Sequence, residues 1–262
     1  LSSIHLDPVE KKPLYHYFPG KNVLSIGSLG CNMHCRCCQN WQISQVSGDE
    51  PVGRTYTPAE IAGMARTQRN SIGIAYTYNE PVVWMEFMLH TARLMKEAGM
   101  KNVVVSNGYL TEAPLHDLLQ YADAFNIDLK TFSAEGHKRH TGGDLQPVLD
   151  TMAHIRRAGK HLEVTCLVVP GVSEEEDLFR EMVRWIRSAL GKDTPFHLSR
   201  YHPMFKMKEA STDPDLMLRF HRLASEYLSY VYVGNLITGE LQDTRCGQCG
   251  VRVVVRRGYE TD

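Results

Sequence analysis

Asn22-Val-Leu-Ser-Ile-Gly-Ser28 is a short apolar run, and it leads directly into Ser28-Leu-Gly-Cys-Asn-Met-His-Cys-Arg-Cys-Cys-Gln-Asn-Trp41. The first stretch reads as a strand buried on both faces. The second is a polar loop with four cysteines at its strand-proximal end. Five more runs share the character of the first: 72–78 (IGIAYTY), 102–107 (NVVVSN), 125–129 (FNIDL), 162–169 (LEVTCLVV) and 196–201 (FHLSRY). Amphipathic helical patterns lie between them. Thr57-Pro58-Ala59-Glu60 reads as a capping box with proline at the first helical position. Trp84, Met88, Thr91 and Met95 share one helical face, which stops near Gly99. Leu145, Val148, Leu149, Met152 and Ile155 repeat the pattern up to Gly159. Ser173 to Glu176 reads as another box, before Leu178, Met182, Ile186 and Leu190. Asp213-Pro214 opens a last helix with Leu216, Phe220, Leu223 and Tyr227 facing inward.

Alternating strands and helices at this spacing predict an α/β protein with a parallel sheet. Six units fall short of the eight in a closed barrel, so the expected fold is a partial (β/α)6 TIM-like barrel with a short C-terminal extension. A flat doubly wound sheet has the same periodicity. In both, chemistry collects at the carboxyl ends of the strands. The chain divides into an N-terminal arm (1–21), the barrel (22–241) and a Cys-x-x-Cys extension (242–262).

The 262 residues are 43% hydrophobic and 23% charged, enough to build a substantial core, and the net charge is −1. That balance gives no electrostatic reason to expect nucleic-acid or acidic-membrane binding. No apolar run approaches the ~20 residues of a membrane-spanning helix. The seven cysteines, four of them between 31 and 38, make a poor disulfide framework. Clustered thiols suit a metal or cluster site in a reducing compartment, so a cytoplasmic location is expected.

Cys31, Cys35 and Cys38 have the spacing C-x3-C-x2-C. Thiolates are the usual ligands of iron–sulfur clusters, and a complete cubane normally takes four. Three ligands leave one iron open to a small molecule, as a catalytic zinc keeps an open position. A zinc site is the competing reading, although it usually draws on paired C-x2-C elements. Cys37 adjoins Cys38, so the two side chains should diverge and Cys37 should line the site without binding. If it bound instead, the cluster would be closed. Gly30 allows a sharp turn into the loop.

The loop resembles the signature of the radical S-adenosylmethionine (AdoMet) superfamily. The ordered segments DPVEKKPLYHYFPG, CQNWQIS, AYTYNEP, SNGYL, NIDLK, LVVPG, SRYHP, YVYVGN and CGQCG resemble the AmmeMemoRadiSam radical enzymes, relatives of pyruvate formate-lyase activating enzymes. The resemblance implies a [4Fe–4S] cluster on Cys31, Cys35 and Cys38 whose open iron chelates AdoMet. It further implies reductive cleavage of AdoMet to a 5′-deoxyadenosyl radical that abstracts hydrogen from a substrate. Glu80 matches the acidic residue that binds the AdoMet ammonium, with Asn79 beside it in place of the usual glycine pair's second member and Tyr78 in place of the first. Ser106 and Asn107 match a polar loop beside the cofactor, and Asp128 and Lys130 an Asp-x-Lys pair. Thr165, Leu167 and His202 fall where the next strands line the cofactor. Cys37 stands where an aromatic residue commonly contacts adenine, and Val105 where some activases place a cation-binding aspartate.

Each of these residues also has a structural reading. Glu80 could be a charge at a helix start, Asp128 and Lys130 an ion pair, and Cys166 core packing. Implied partners are a protein or peptide substrate, an electron donor such as a flavodoxin or ferredoxin, and Memo and AMMECR family proteins. Trp41, Arg200 and Tyr201 are candidate substrate contacts at the barrel mouth. Cys246 and Cys249 resemble half of a zinc ribbon. Relatives carry a further cysteine-rich stretch ahead of KKPLYH, which implies that this chain is part of a longer protein. Two other functions compete: activation of a glycyl radical enzyme, and iron–sulfur electron transfer without catalysis.

Overall fold

The computed structural model describes residues 1–46, 54–237 and 239–262. Its main sheet has eight strands: β1 (Ser3–Pro8), β2 (Asn22–Gly27), β3 (Ser71–Tyr76), β4 (Lys101–Ser106), β5 (Ala124–Asp128), β6 (His161–Val168), β7 (Phe196–Arg200) and β8 (Val231–Gly234). They are hydrogen-bonded in strict sequence order, with β1 antiparallel to β2 and every later pair parallel. The six expected strands are β2 to β7. β8 adds a seventh parallel strand, and β1 was not anticipated.

The strand order decides between the two candidate architectures. A doubly wound sheet reverses direction at a switch point. Here each parallel strand lies beside its predecessor, and right-handed crossovers then put all the helices on one face. Among the described residues the other face has no helices to cover it, so the sheet curls until that face covers itself. β1 and β8 remain as edges, which makes the barrel partial.

The helices are α1 (Trp41–Ser44), α2 (Pro58–Thr67), α3 (Met85–Glu97), α4 (Glu112–Leu119), α5 (Ala134–Thr141), α6 (Leu145–Arg157), α7 (Glu176–Trp185) and α8 (Pro214–Ser225). The Thr57–Glu60 capping box forms in full. Met88, Thr91 and Met95 of α3 and Val148, Met152 and Ile155 of α6 are buried, and Gly99 and Gly159 take the left-handed conformation past the helix ends. The Ser173 box does not form: Ser173 Oγ accepts from Val169 N–H and donates to Leu167 O, and α7 starts later, at Glu176. The hydroxyl finds stronger local partners in the turn than at the helix end.

Alternating strand residues feed two cores. Ile26, Ile74, Tyr76, Val104, Phe125, Ile127, Val164 and Leu198 pack against the helices. Val23, Ala75, Val103 and Ala124 face the lumen, where Val9 and Leu14 from the segment after β1 close its amino-terminal end. The arm is therefore a strand followed by a plug. Its backbone is held by polar lumen residues: Asn126 donates to Pro13 O, and Glu163 accepts from Tyr15 N–H and His16 N–H at 3.0 and 2.8 Å.

Glu163 is wholly buried and also accepts from His161 and His197 at 2.9 and 2.6 Å. Burial opposes its charge, but these donors more than offset that and hold the carboxyl well below its usual range. The C-terminal extension closes onto the same place. Buried Arg256 donates to Tyr15 O at 2.7 Å and lies 4.0 Å from the centre of the Tyr15 ring.

Candidate active site

The cysteine loop leaves the carboxyl end of β2 through Gly30, whose φ of 88° favours glycine. Its backbone is pinned along its length. Gly30 N–H donates to Ile43 O, His34 N–H to Thr141 O and Arg36 N–H to His140 O, so the end of α5 acts as an anvil for the loop. Side chains add Asn32 to Tyr109 O and Asn40 to Tyr78 O, both at 2.6 Å. A loop with so many fixed backbone groups presents its side chains in one arrangement.

Cys31, Cys35, Cys37 and Cys38 are all free thiols. Cys31 and Cys35 pack beside the main core, while Cys37 turns the other way into a small cluster with Val169, Tyr201 and Met207. There its Sγ lies 3.2 Å from His140 Nε2. Burial pushes the Cys31 thiol up to about 11 and the Cys35 thiol up to about 12. Lys130 opposes this at both thiols. Lys130 is itself held protonated: burial works against its charge, but Asp128, whose carboxylate is 2.7 Å away, and Cys35 prevail.

These residues fit an iron–sulfur cluster by donor type. Cys31 Sγ accepts from Met33 N–H at 3.4 Å and lies 3.7 Å from Asn107 Nδ2, contacts of the kind that tune a cluster's sulfurs. Among the described residues no three His, Cys, Asp or Glu side chains converge on one metal ion. The trio is not the compact set that zinc uses, whereas a cubane takes each thiolate on a different iron.

Glu80 follows β3 and is 3% exposed. Its carboxylate accepts from Ser106 Oγ and Asn107 N–H, each at 2.8 Å, and from Val82 N–H at 3.2 Å. Burial raises its pKa to about 7 despite those donors. Asn107 therefore links the carboxylate, through its backbone, to Cys31, through its side chain. Asn79 clamps the loop's entry: its Oδ1 accepts from Ser28 N–H and its Nδ2 donates to Gly30 O, both at 2.9 Å. Tyr78 keeps the backbone that glycine would give, with φ at 72°. That conformation costs a residue with a Cβ about 1–2 kcal/mol.

The other expected residues fall into place unevenly. Thr165 donates to Asn126 inside the lumen, and Leu167 is half-buried against the Cys37 cluster. His202 is exposed, with Nδ1 3.0 Å from Ser211 Oγ. Trp41 does sit at the surface, stacked on Phe205. Arg200 donates to Thr212 O, and Tyr201 is fully buried, so it is no contact at the barrel mouth. Cys166 is core, as expected. Cys246 and Cys249 flank the turn between β9 (Thr244–Arg245) and β10 (Arg252–Val254). Two thiolates leave a tetrahedral ion incomplete, and among the described residues no further ligand joins them. His140 was missed because its partner lies 103 positions away in the chain.

A parallel partial barrel that carries four free thiols at its first βα loop and a buried carboxylate at its second belongs to a definite class of enzyme. The chain is a member of the Radical SAM superfamily, whose family model matches residues 25–185. It is 40% identical to an uncharacterised protein of Methanocaldococcus jannaschii over 256 residues, covering 97% of this chain and 76% of that protein. It is 21% identical to the pyruvate formate-lyase-activating enzyme of Clostridium pasteurianum, over 72% of this chain and 79% of the relative. Among solved structures it is similar to Streptococcus suis SuiB bound to precursor peptide SuiA, with a TM-score of 0.64 and 13% identity. That likeness covers 87% of this chain and 52% of SuiB. Membership implies a [4Fe–4S] cluster and AdoMet. No helix among the described residues is long and apolar enough to cross a membrane.

Proposed function

We propose that Cys31, Cys35 and Cys38 hold the cluster, that Glu80 receives the AdoMet ammonium, and that the enzyme abstracts hydrogen from a protein or peptide. The observation that carries this reading is the link through Asn107, which ties the Glu80 carboxylate to Cys31. Cys31, Cys35 and Cys38 would hold the cluster, which when bound would supply the low-potential electron for cleavage of the AdoMet sulfonium. The chain's own residues do the rest. Glu80 offers a buried anion whose raised pKa marks an unmet demand for a cation, and an ammonium meets that demand by charge-assisted hydrogen bonding. Ser106 and Asn107 orient the carboxylate. Lys130 sets a positive charge beside the thiols, which favours their deprotonated, metal-binding form. Thr165 and Leu167 form part of the wall on the far side, and His202 stands at its rim.

Cys37 supports a cluster with three protein ligands, since its thiol is taken up by His140 and by the small cluster with Val169, Tyr201 and Met207. This disfavours electron transfer through a fully ligated cluster. A protein or peptide substrate is in keeping with the activating enzymes among the relatives and with the precursor peptide in the SuiB structure. The proposed electron source is a flavodoxin or ferredoxin; Memo and AMMECR partners rest on the family resemblance. Iron content after anaerobic reconstitution tests the ligand set. Alanine at Cys31, Cys35 or Cys38 should abolish the cluster, and Cys37→Ala should retain it with AdoMet turnover. A cluster lost only in Cys37→Ala would overturn the assignment.

A further inference from the structure

We propose that Asp7, Lys12 and Tyr78 form a positioning clamp that holds the turn before Glu80 in its left-handed conformation; the part concerning AdoMet rests on the reading above. The turn is short. Thr77 N–H still bonds to Ile26 O, Tyr78 takes φ of 72°, and Asn79 N–H closes back on Thr77 O. The two side chains that follow are those that meet the cysteine loop and the loop after β4: Asn79 grips Ser28 and Gly30, and Glu80 meets Ser106 and Asn107. If Tyr78 relaxed to the backbone its Cβ prefers, both side chains would be carried away from those partners.

Tyr78 is held at its carbonyl, its ring and its hydroxyl. Its carbonyl accepts from Asn40 at 2.6 Å, which joins the turn to the far end of the cysteine loop. Its ring crosses the end of β2 so closely that a Cβ on Gly27 would lie 3.1 Å from Tyr78 Cβ and Cδ2. Its hydroxyl donates to Asp7 Oδ2 at 2.6 Å. Lys12 donates to the same oxygen at 2.8 Å, with its ammonium 4.5 Å from the centre of the Tyr78 ring, and Lys11 takes the other oxygen at 2.9 Å.

Asp7 is 5% and Lys12 2% exposed. A buried ion pair is a poor way merely to attach a strand, since apolar contacts do as well without the desolvation penalty. What it adds is geometry: one carboxylate oxygen fixed by an ammonium, with the phenol fixed by that oxygen. The clamp gives the arm a second role. β1 and the first turn of the plug, besides closing the lumen, set the position of the proposed AdoMet carboxylate some 70 residues further along.

The test is a cycle with glycine, which needs no clamp to be left-handed. Variants Tyr78→Phe, Asp7→Ala, Tyr78→Gly and the double Asp7→Ala/Tyr78→Gly are checked for cooperative unfolding. Two readouts follow: amide exchange of residues 77–82 in cluster-free protein, and AdoMet affinity after reconstitution. Tyr78→Phe should speed exchange in 77–82 about tenfold relative to 145–157 and weaken AdoMet about tenfold at unchanged iron content. Asp7→Ala should weaken AdoMet similarly beside Tyr78 but less than about twofold beside glycine. Equal losses in both backgrounds would overturn the clamp, because Asp7 would then act independently of the turn. So would a Tyr78→Phe variant with unchanged exchange, a variant mild enough to fold in any case. Faster exchange with unchanged AdoMet affinity would uphold the clamp and remove Glu80 from AdoMet binding instead.

Discussion

Replacing Glu80 by glutamine separates the structural cost of the buried carboxylate from its use. The native pKa is about 7 against 4.5 for an ordinary glutamate, with burial the largest cause. Between those values the native state binds a proton that the unfolded chain has released, so stability falls as pH rises from about 4.5 and levels off above about 7. At ~1.4 kcal/mol per pH unit, ionised Glu80 costs the cluster-free protein about 3 kcal/mol above pH 7. Glutamine removes that cost. It keeps one acceptor oxygen for Ser106 and Val82, but its amide then faces Asn107 N–H, donor against donor, at a cost of ~1–3 kcal/mol. Glu80→Gln should therefore destabilise by ~1–3 kcal/mol at pH 5 and be near neutral or stabilising at pH 8. Urea unfolding of cluster-free protein at several pH values measures the difference, and other titrating groups cancel between variant and parent. In the reconstituted enzyme the same change should weaken AdoMet by about ten- to a hundredfold at pH 8 by removing a charged acceptor. A variant that is more destabilised at pH 8 than at pH 5 would refute the burial argument, and one that binds AdoMet like the parent would refute the role.

Burial lowers the pKa of His16 and His140 to about 4 from 6.5, so both are neutral in the fold. Lowering the pH from about 6.5 to 4 protonates them in the unfolded chain first, which should remove about 2–3 kcal/mol of stability for each; His140→Gln should flatten that part of the profile. Glu163→Gln keeps one acceptor oxygen and turns the other into a donor, so one backbone amide and one imidazole lose their acceptor; it should cost about 3 kcal/mol in urea unfolding, with earlier proteolysis at residues 15–20. Gly73→Ala would place a Cβ 2.0 Å from Lys101 O in the neighbouring strand. It should cost more than about 4 kcal/mol, seen as loss of folded protein on expression.

The sequence made α2, α3, α6, α7 and α8 legible because their apolar faces repeat at helical spacing over two turns or more, as Met88 to Met95 and Val148 to Ile155 do, while the short α1, α4 and α5 went unread. Strands β2 to β7 were legible as apolar runs. β8 is only four residues long and follows a helix closely, so Tyr-Val-Tyr-Val was not counted as a strand. β1 alternates polar and apolar residues at a sheet edge, ends in Pro8, and leaves Leu6 well exposed, a weak signal beside the others. The site was legible in two ways. The cysteine spacing is local and needs no fold to be read. Glu80, Ser106 and Asn107 each follow a strand, and parallel neighbours bring strand ends together without further information. What escaped depends on long-range partners: Asp7 with Tyr78, Cys37 with His140, and Arg256 with Tyr15. Ser173 and Tyr201 were misplaced because their types suit a cap and a surface as well as the turn and the core that they occupy.

The most direct test of the account is product analysis. The enzyme is reconstituted with iron and sulfide under anaerobic conditions, reduced, given AdoMet, and assayed by mass spectrometry for 5′-deoxyadenosine. The account predicts 5′-deoxyadenosine from the parent and from Cys37→Ala, and none from Cys35→Ala. An intact, reducible cluster that neither binds nor cleaves AdoMet would contradict it.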